Sequence, residues 1–144
     1  AGWRSAYQRS DHSRDHKGQR QASHNLSSGA MKITTPYPPS VNHMWVRNRN
    51  GGVRVSAEGI KFRAQVVAAT FPHKRAMTGR LCVSVRLYAP DKRRRDLDNS
   101  MKALLDALAH ALVYVDDSQI DRLVVERGPV DRKNPRAEVE VVEI

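Results

Sequence analysis

Alternation of apolar and polar residues predicts most of the strands in this chain. From Leu81–Tyr88 every second residue is apolar, which is the pattern of a strand with one buried face. A similar strand is predicted over residues 137–142, and an apolar run through Leu123, Val124 and Val125 predicts one over Ile120–Arg127. Shorter strands are predicted over residues 32–35 and Val53–Val55. Segments rich in Pro, Gly and Asn separate these strands, and the segment 42–52 is predicted to be a loop or a hairpin.

Two segments carry apolar residues at helical spacing. The first follows Ser56, a typical N-cap residue, and extends to about Thr70, where the next proline ends it. The second is predicted from about Asp98 to Val113. The apolar residues assigned to the first helix are Ile60, Phe62, Val66, Val67 and Ala69, and both Phe62 and Phe71 are assigned to the core.

The order of these elements predicts an α+β fold. We expect a two-layer arrangement in which a small mixed β-sheet packs against two main helices. The chain has 144 residues, and the folded domain is predicted to be residues 31–144. Residues 1–30 are rich in Ser, Arg, Gln and His and contain few large apolar side chains. We therefore predict that they form a disordered or non-native N-terminal extension.

Charge and composition narrow the class of partner. Lys and Arg number 25 against 15 Asp and Glu, which gives a net charge of +10 and suggests nucleic acid as the partner. The single cysteine, Cys82, excludes an internal disulfide and any multi-cysteine metal site. We find no apolar run of the about 20 residues that a membrane span needs, and no signal peptide. We therefore expect a cytoplasmic, nucleoid-associated protein.

The most informative stretch places two aspartates directly after a basic run. Lys92, Arg93, Arg94 and Arg95 precede Asp96, and Asp98 follows two residues later. Hydrolysis of a phosphodiester needs carboxylates that hold a hard divalent ion, and cations that hold the polyanion beside it.

A structural role for the same residues is the alternative. Aspartates are preferred at the start of a helix, so Asp96 and Asp98 can be capping residues, and the basic run can be a solvated loop. If the second helix does begin near Asp98, Lys102 lies on the same helical face, four residues further on.

A second acidic pair, Asp116 and Asp117, follows the second predicted helix. Taken alone, it is an ordinary polar turn. A helix of about 16 residues is about 24 Å long, so its two ends lie far apart. Asp117 can therefore join Asp96 and Asp98 only if the chain folds back or the helix ends early.

Several short motifs occur in order along residues 31–144, at residues 36–42, 55–59, 90–99 with Lys102, 106–108 and 115–119. In the order and spacing of these motifs the chain resembles the RusA family of Holliday junction resolvases. The resemblance implies a Mg²⁺-dependent endonuclease, with Mn²⁺ as an alternative ion. It also implies a homodimer that resolves four-way DNA junctions by paired nicks during recombination and repair. Bacterial and prophage proteins make up this family, so we expect a bacterial or phage-infected cell.

The resemblance also implies roles for individual residues. Asp96, Asp98 and Asp117 match the metal-binding aspartates of the family, and Lys102 matches its catalytic lysine. Whether the ligands come from one protomer or two, and whether one ion binds or two, is left open. The residues predicted to bind DNA are Lys92, Arg93, Arg94, Arg95, Arg47 and Arg49.

Two other classes of function remain open at this point. In the first, the chain is a non-catalytic basic DNA-binding module whose aspartates only cap a helix and a turn. In the second, it is a basic structural or assembly protein of a phage.

Overall fold

The structure, a computed structural model, describes residues 29–71 and 75–144. Residues 1–28, which make up nearly all of the predicted extension, lie outside this range, and so does the proline predicted to end the first helix. Along the chain the elements are β1 Met31–Pro36, α1 Val41–Met44, β2 Trp45–Arg47, β3 Val53–Val55, α2 Ala57–Thr70, β4 Leu81–Tyr88, a 3₁₀ turn Leu97–Ser100, α3 Met101–His110, a second 3₁₀ turn Asp117–Gln119, β5 Ile120–Arg127 and β6 Arg136–Glu143.

The four long strands form a mixed sheet in the order β1-β6-β4-β5. Strands β4 and β5 are parallel and are joined through α3, as a parallel connection requires a crossover. Strand β6 lies antiparallel between β1 and β4, and pairs Val139 with both Ile33 and Val85. Strands β2 and β3 form a separate two-stranded hairpin. The predicted α+β fold, with a small mixed sheet and two main helices, is confirmed.

The core lies between one face of the sheet and helices α2 and α3. Alternate strand residues point into it, as the sequence pattern predicted, and the apolar face of α3 covers them. Burying one such leucine or valine contributes about 1.5–3 kcal/mol. The buried residues include Ile33, Leu81, Val83, Val85, Leu87, Val139 and Val141 from the sheet, and Phe62, Val66, Leu104 and Leu108 from the helices.

The first main helix begins as predicted, but it buries a different set of residues. The Ser56 hydroxyl accepts a hydrogen bond from the Gly59 amide at 3.0 Å, as an N-cap does. The buried face consists of Gly59, Phe62, Val66 and Thr70. Its remaining apolar residues, Ile60, Val67 and Ala69, lie away from this face and are exposed.

The assignment of Phe71 to the core is wrong. This residue is 83% exposed because it follows the buried Phe62 by nine residues, which places it on the opposite side of the helix. Gly59, by contrast, is needed for close packing. A Cβ at this position would lie 2.8 Å from the Met44 carbonyl oxygen, so only glycine lets α2 approach α1 this closely.

The second main helix is shorter than predicted at both ends. Residues 97–100 form a 3₁₀ turn, and α3 ends at His110 instead of near Val113. The cause is Leu112, whose φ of 61° is left-handed. The Val113 amide donates to the Leu108 carbonyl and the Leu112 amide to the Ala109 carbonyl, both at 3.0 Å, which is a Schellman termination. The chain therefore reverses directly after α3.

In the described part of the chain, no helix combines the length and the apolar character needed to cross a membrane. Residues Met31–Ile144 cluster as one compact unit.

Candidate active site

The side chain of Lys102 brings the two ends of the α3 region together. Its ammonium nitrogen lies 3.1 Å from Asp106 Oδ1, one helical turn further along α3. The same nitrogen lies 3.7 Å from Asp117 Oδ2. Because α3 ends early and the chain folds back, Asp117 returns to the first turn of the helix. The structure thus brings together two of the four residues predicted to be catalytic, Lys102 and Asp117.

The electrostatics of Lys102 favour its charged form. The hydrogen bond to Asp106 is the largest cause that raises the pKa of Lys102, and the charge of Asp117 adds to it. The side chain is 57% exposed, so solvent weakens these interactions, but both still raise the pKa. Lys102 is therefore a protonated point charge at neutral pH, suited to contact an anion.

The backbone of the Asp117 turn is held by its neighbours. The carboxylate of Asp116 accepts a hydrogen bond from the Ser118 hydroxyl at 2.6 Å, and this bond lowers the pKa of Asp116. The Asp116 amide donates to the side-chain oxygen of Gln119 at 2.9 Å. The two adjacent aspartates thus differ: Asp116 is engaged within the turn, and Asp117 faces Lys102.

Asp96 and Asp98 precede Lys102 in the sequence, whereas Asp117 follows it. Asp96 occupies the N-cap position of the 3₁₀ turn, yet its side chain makes no capping hydrogen bond. Asp98 lies in the first turn of the same segment, and both residues are exposed. Among the residues that the structure describes, neither carboxylate forms an ion pair. The alternative that Asp96 acts as a helix cap therefore has no hydrogen bond to support it.

The predicted metal ligands do not form an assembled group within one chain. Within residues 29–71 and 75–144, no three or more His, Cys, Asp or Glu side chains gather closely enough to hold a metal ion. The side chains of Asp96, Asp98 and Asp117 nevertheless offer hard carboxylate oxygens, the donors that Mg²⁺ and Mn²⁺ prefer. The donor chemistry fits such an ion, and the complete ligand set stays a prediction.

The basic run divides into one residue held by the protein and three that face solvent. Arg95 contacts the Asp91 carboxylate with both terminal nitrogens, at 2.5 and 3.1 Å, and its guanidinium lies 5.9 Å from the centre of the Tyr37 ring. This contact, together with a hydrogen bond from the Arg93 amide, lowers the pKa of Asp91 to about 2. Lys92, Arg93 and Arg94 are exposed.

A cleft of about 520 Å³ lies beside the basic run. Its walls come from the segment after β1, from the basic run and from the start of the 3₁₀ turn, and they include Tyr37, His43, Arg93, Arg94, Asp96 and Asn99. The other two predicted DNA-binding residues lie on a separate element. Arg47 ends β2 and Arg49 lies in the hairpin turn, and both are exposed.

Three residues of the site had no role assigned from the sequence. Asp106 lies four residues after Lys102, so helical spacing is a signal that could have identified it as the partner of the lysine. Asp91 precedes the basic run by one residue and holds Arg95, which is not visible from a charge count. Gln119 is an ordinary polar residue in the sequence, and only the structure reveals its contacts.

Comparison with known proteins gives consistent results. The family model described as "Endodeoxyribonuclease RusA" matches residues 36–142, a stretch that contains every candidate site residue. The crossover junction endodeoxyribonuclease of Enterobacteria phage HK97 is 41% identical over 99 residues, which is 67% of this chain and 82% of the relative. The enzyme of that name from Escherichia coli (strain K12) is 39% identical over 117 residues, 78% of this chain and 93% of the relative. The one from Enterobacteria phage 82 is 37% identical over 114 residues.

Proposed function

Because the chain belongs to the RusA family of endodeoxyribonucleases, we propose that it resolves four-way DNA junctions by paired nicks that depend on Mg²⁺. The observation that carries this proposal is the contact between Lys102 and Asp117, two residues that are far apart in the sequence. Asp96 and Asp98, which precede Lys102 by six and four residues, are exposed, and the Asp96 side chain makes no capping hydrogen bond. The proposed substrate agrees with the predicted cytoplasmic, nucleoid-associated location.

Asp96, Asp98 and Asp117 are the proposed ligands of the divalent ion. When bound, the ion supplies Lewis-acid activation of a water and neutralises charge on the leaving oxygen. The carboxylates of Asp96 and Asp98 are exposed and unpaired in the described structure, so binding an ion breaks no existing ion pair at these two positions. Asp117 already faces a cation, Lys102, so its surroundings change more than those of the other two proposed ligands when the divalent ion binds.

Lys102 is proposed to stabilise the charge that develops on the scissile phosphate. A protonated ammonium on a flexible stem acts as a point charge, and its raised pKa argues against a role as general base. Asp106 holds this ammonium at 3.1 Å, which limits the positions that the lysine can occupy before DNA arrives. The role of Asp106 is therefore to position Lys102.

The basic run is proposed to hold the DNA backbone beside these residues. Lys92, Arg93 and Arg94 are exposed and available to phosphates. Arg95 has a different part, because its fork-shaped contact with Asp91 fixes the loop that carries the other three. Arg47 and Arg49 extend the basic surface from the hairpin.

A homodimer suits the proposed substrate. A four-way junction has two-fold symmetry, and its resolution needs two opposed nicks. One isologous dimer supplies two sites related by the same axis. We expect a particle of twice the chain mass, 16.2 kDa, in light scattering.

The experiment that tests the function uses a labelled four-way junction and a linear duplex, each incubated with Mg²⁺, with Mn²⁺ and with a chelator. We expect paired nicks in the junction only when a divalent ion is present. The variant Asp96→Asn should abolish cleavage and keep or raise junction affinity, because it removes a ligand and a repulsive charge together. Binding of wild-type protein without any cleavage would instead favour the non-catalytic module, and binding to neither DNA would favour a structural protein.

A further inference from the structure

The side chain of Gln119 uses its complete hydrogen-bonding capacity. Its oxygen accepts from the Val115 amide at 2.8 Å and from the Asp116 amide at 2.9 Å. Its nitrogen donates to the Met77 and Gly79 carbonyls, both at 2.9 Å. An amide side chain has two acceptor positions and two donor hydrogens, and all four are used here.

These four bonds join the Asp117 turn to the segment that leads into β4. The acceptor side holds the backbone just before Asp117, and the donor side holds residues 77–79. A second contact holds the backbone just after Asp117, because Arg80 donates to the Ser118 carbonyl at 2.9 Å. The backbone on both sides of Asp117 is thus tied to the same segment.

The segment is itself anchored to the sheet. Glu143 in β6 accepts hydrogen bonds from the amides of Thr78 and Gly79 at 3.1 and 3.0 Å. The Met77 amide donates to the Val113 carbonyl at 2.9 Å. The segment therefore gives the Asp117 turn a fixed support that does not depend on Lys102.

We propose that Gln119 is the positioning residue for Asp117, and that it acts through the backbone of the turn. This inference rests on the proposed function, in which Asp117 is a metal ligand. Residues that orient a ligand typically contribute about 10–100-fold to metal affinity or activity when they are removed. Gln119 touches neither the phosphate nor the ion in this proposal, so junction binding does not depend on it.

The test is the variant Gln119→Met, which keeps the length of the side chain and removes all four hydrogen bonds. Four quantities are measured: kcat and KM for junction cleavage, junction affinity in chelator, and Mn²⁺ affinity of the protein without DNA by electron paramagnetic resonance. We expect kcat and Mn²⁺ affinity to fall about 10–100-fold, with KM and junction affinity unchanged. The matched control is Glu143→Ala, which removes one anchor of the same segment but keeps the four Gln119 bonds and the bond between Met77 and Val113, so we expect a smaller loss than in Gln119→Met.

Three results would overturn the inference: an unchanged kcat and Mn²⁺ affinity in Gln119→Met, an equal loss of kcat and junction affinity, or an equal loss in the Glu143→Ala control. If Gln119→Met does not fold, Gln119→Glu replaces it, since this variant keeps both acceptor bonds and loses the two donated ones. A smaller fall in the same two quantities is expected there. A wild-type protein that binds Mn²⁺ and leaves junctions uncut would refute the proposed function, whereas the Mn²⁺ affinities would still decide the role of Gln119.

Discussion

The two acidic pairs of this chain have the same composition and different surroundings. Asp96 and Asp98 lie on an exposed turn, and neither carboxylate has an ion-pair partner in the described structure. In the other pair, Asp116 accepts a hydrogen bond from Ser118, and Asp117 faces Lys102 at 3.7 Å. The contacts of its carboxylate therefore decide the role of an aspartate here, and the presence of a second aspartate nearby in the sequence does not.

The largest effect is expected within the second pair. Asp117→Asn should reduce junction cleavage by at least about 1,000-fold, because losing a ligand costs several kcal/mol of transition-state stabilisation. Asp116→Asn should stay within about threefold of wild type, because asparagine still accepts the hydrogen bond from Ser118. Cleavage rates of the two variants at saturating Mg²⁺ check this. Equal losses in both would show that the doublet acts as a unit and that the comparison is wrong.

The sequence predicts those parts of the fold that leave a pattern of apolar residues, and it misses those that depend on the backbone conformation of one residue. The strands Leu81–Tyr88 and Ile120–Arg127 were predicted with the bounds that the structure has, the first from a period of two over eight residues and the second from an apolar run through Leu123, Val124 and Val125. The end of α3 was not predicted correctly, because Leu112 continues the apolar pattern although its backbone has left the helix. A glycine at that position would have given the signal.

The candidate site shows the same division. The resemblance to a family identified Asp117 and Lys102, and the structure brings these two side chains together. It gave no role to Gln119, because hydrogen bonds between side chain and backbone over some 40 residues leave no periodic trace in a sequence. The exposure of Phe71, by contrast, could have been predicted from helical spacing, because it follows Phe62 by nine residues and so lies on the opposite side of the helix.

A smaller loss of activity is expected when Asp106 is replaced, and this variant compares Asp106 with Asp117, the other partner of Lys102. Asp106→Asn should lower kcat about 10-fold, because the ammonium is then positioned by one carboxylate instead of two. Since Asp106 is the main cause of the raised pKa of Lys102, the variant also lowers this pKa toward its ordinary value. The loss of activity at high pH should therefore begin at a lower pH than in wild type.

The pH dependence of kcat checks this prediction. Lys102→Arg is the matched control, because arginine stays protonated throughout the range and its profile should lack the alkaline limb. An Asp106→Asn profile that coincides with that of wild type would mean that Asp106 does not set the charge of Lys102.

Within the basic run, Arg94 and Arg95 provide the next comparison. Arg94→Ala should weaken junction binding a few-fold and reduce the slope of log affinity against log salt by about one, as expected for one lost phosphate contact. Arg95→Ala should instead loosen the loop, because it removes the two-pronged contact with Asp91 and leaves that carboxylate only its weaker contacts with Arg93.

Binding isotherms at several salt concentrations separate these two cases. Arg95→Ala should raise hydrogen exchange in the loop, and Arg94→Ala should leave it unchanged. If both variants lose the same salt slope with no change in exchange, Arg95 is a phosphate contact like its neighbour, and its contact with Asp91 gives way when DNA binds.

The smallest effect concerns Leu112, the residue whose left-handed backbone returns Asp117 to Lys102. A leucine at a φ of 61° costs about 1–2 kcal/mol, and its side chain is 65% exposed, so little burial offsets that cost. Leu112→Gly should raise the free energy of unfolding by about 0.5–1 kcal/mol, after the larger entropy of glycine in the unfolded chain is subtracted. Leu112→Ala is the control that removes the side chain and keeps the strain. Chemical denaturation should rank glycine above wild type and alanine at or below it, with equal cleavage rates in all three. If glycine and alanine prove equally stable, the left-handed backbone of Leu112 stores no strain.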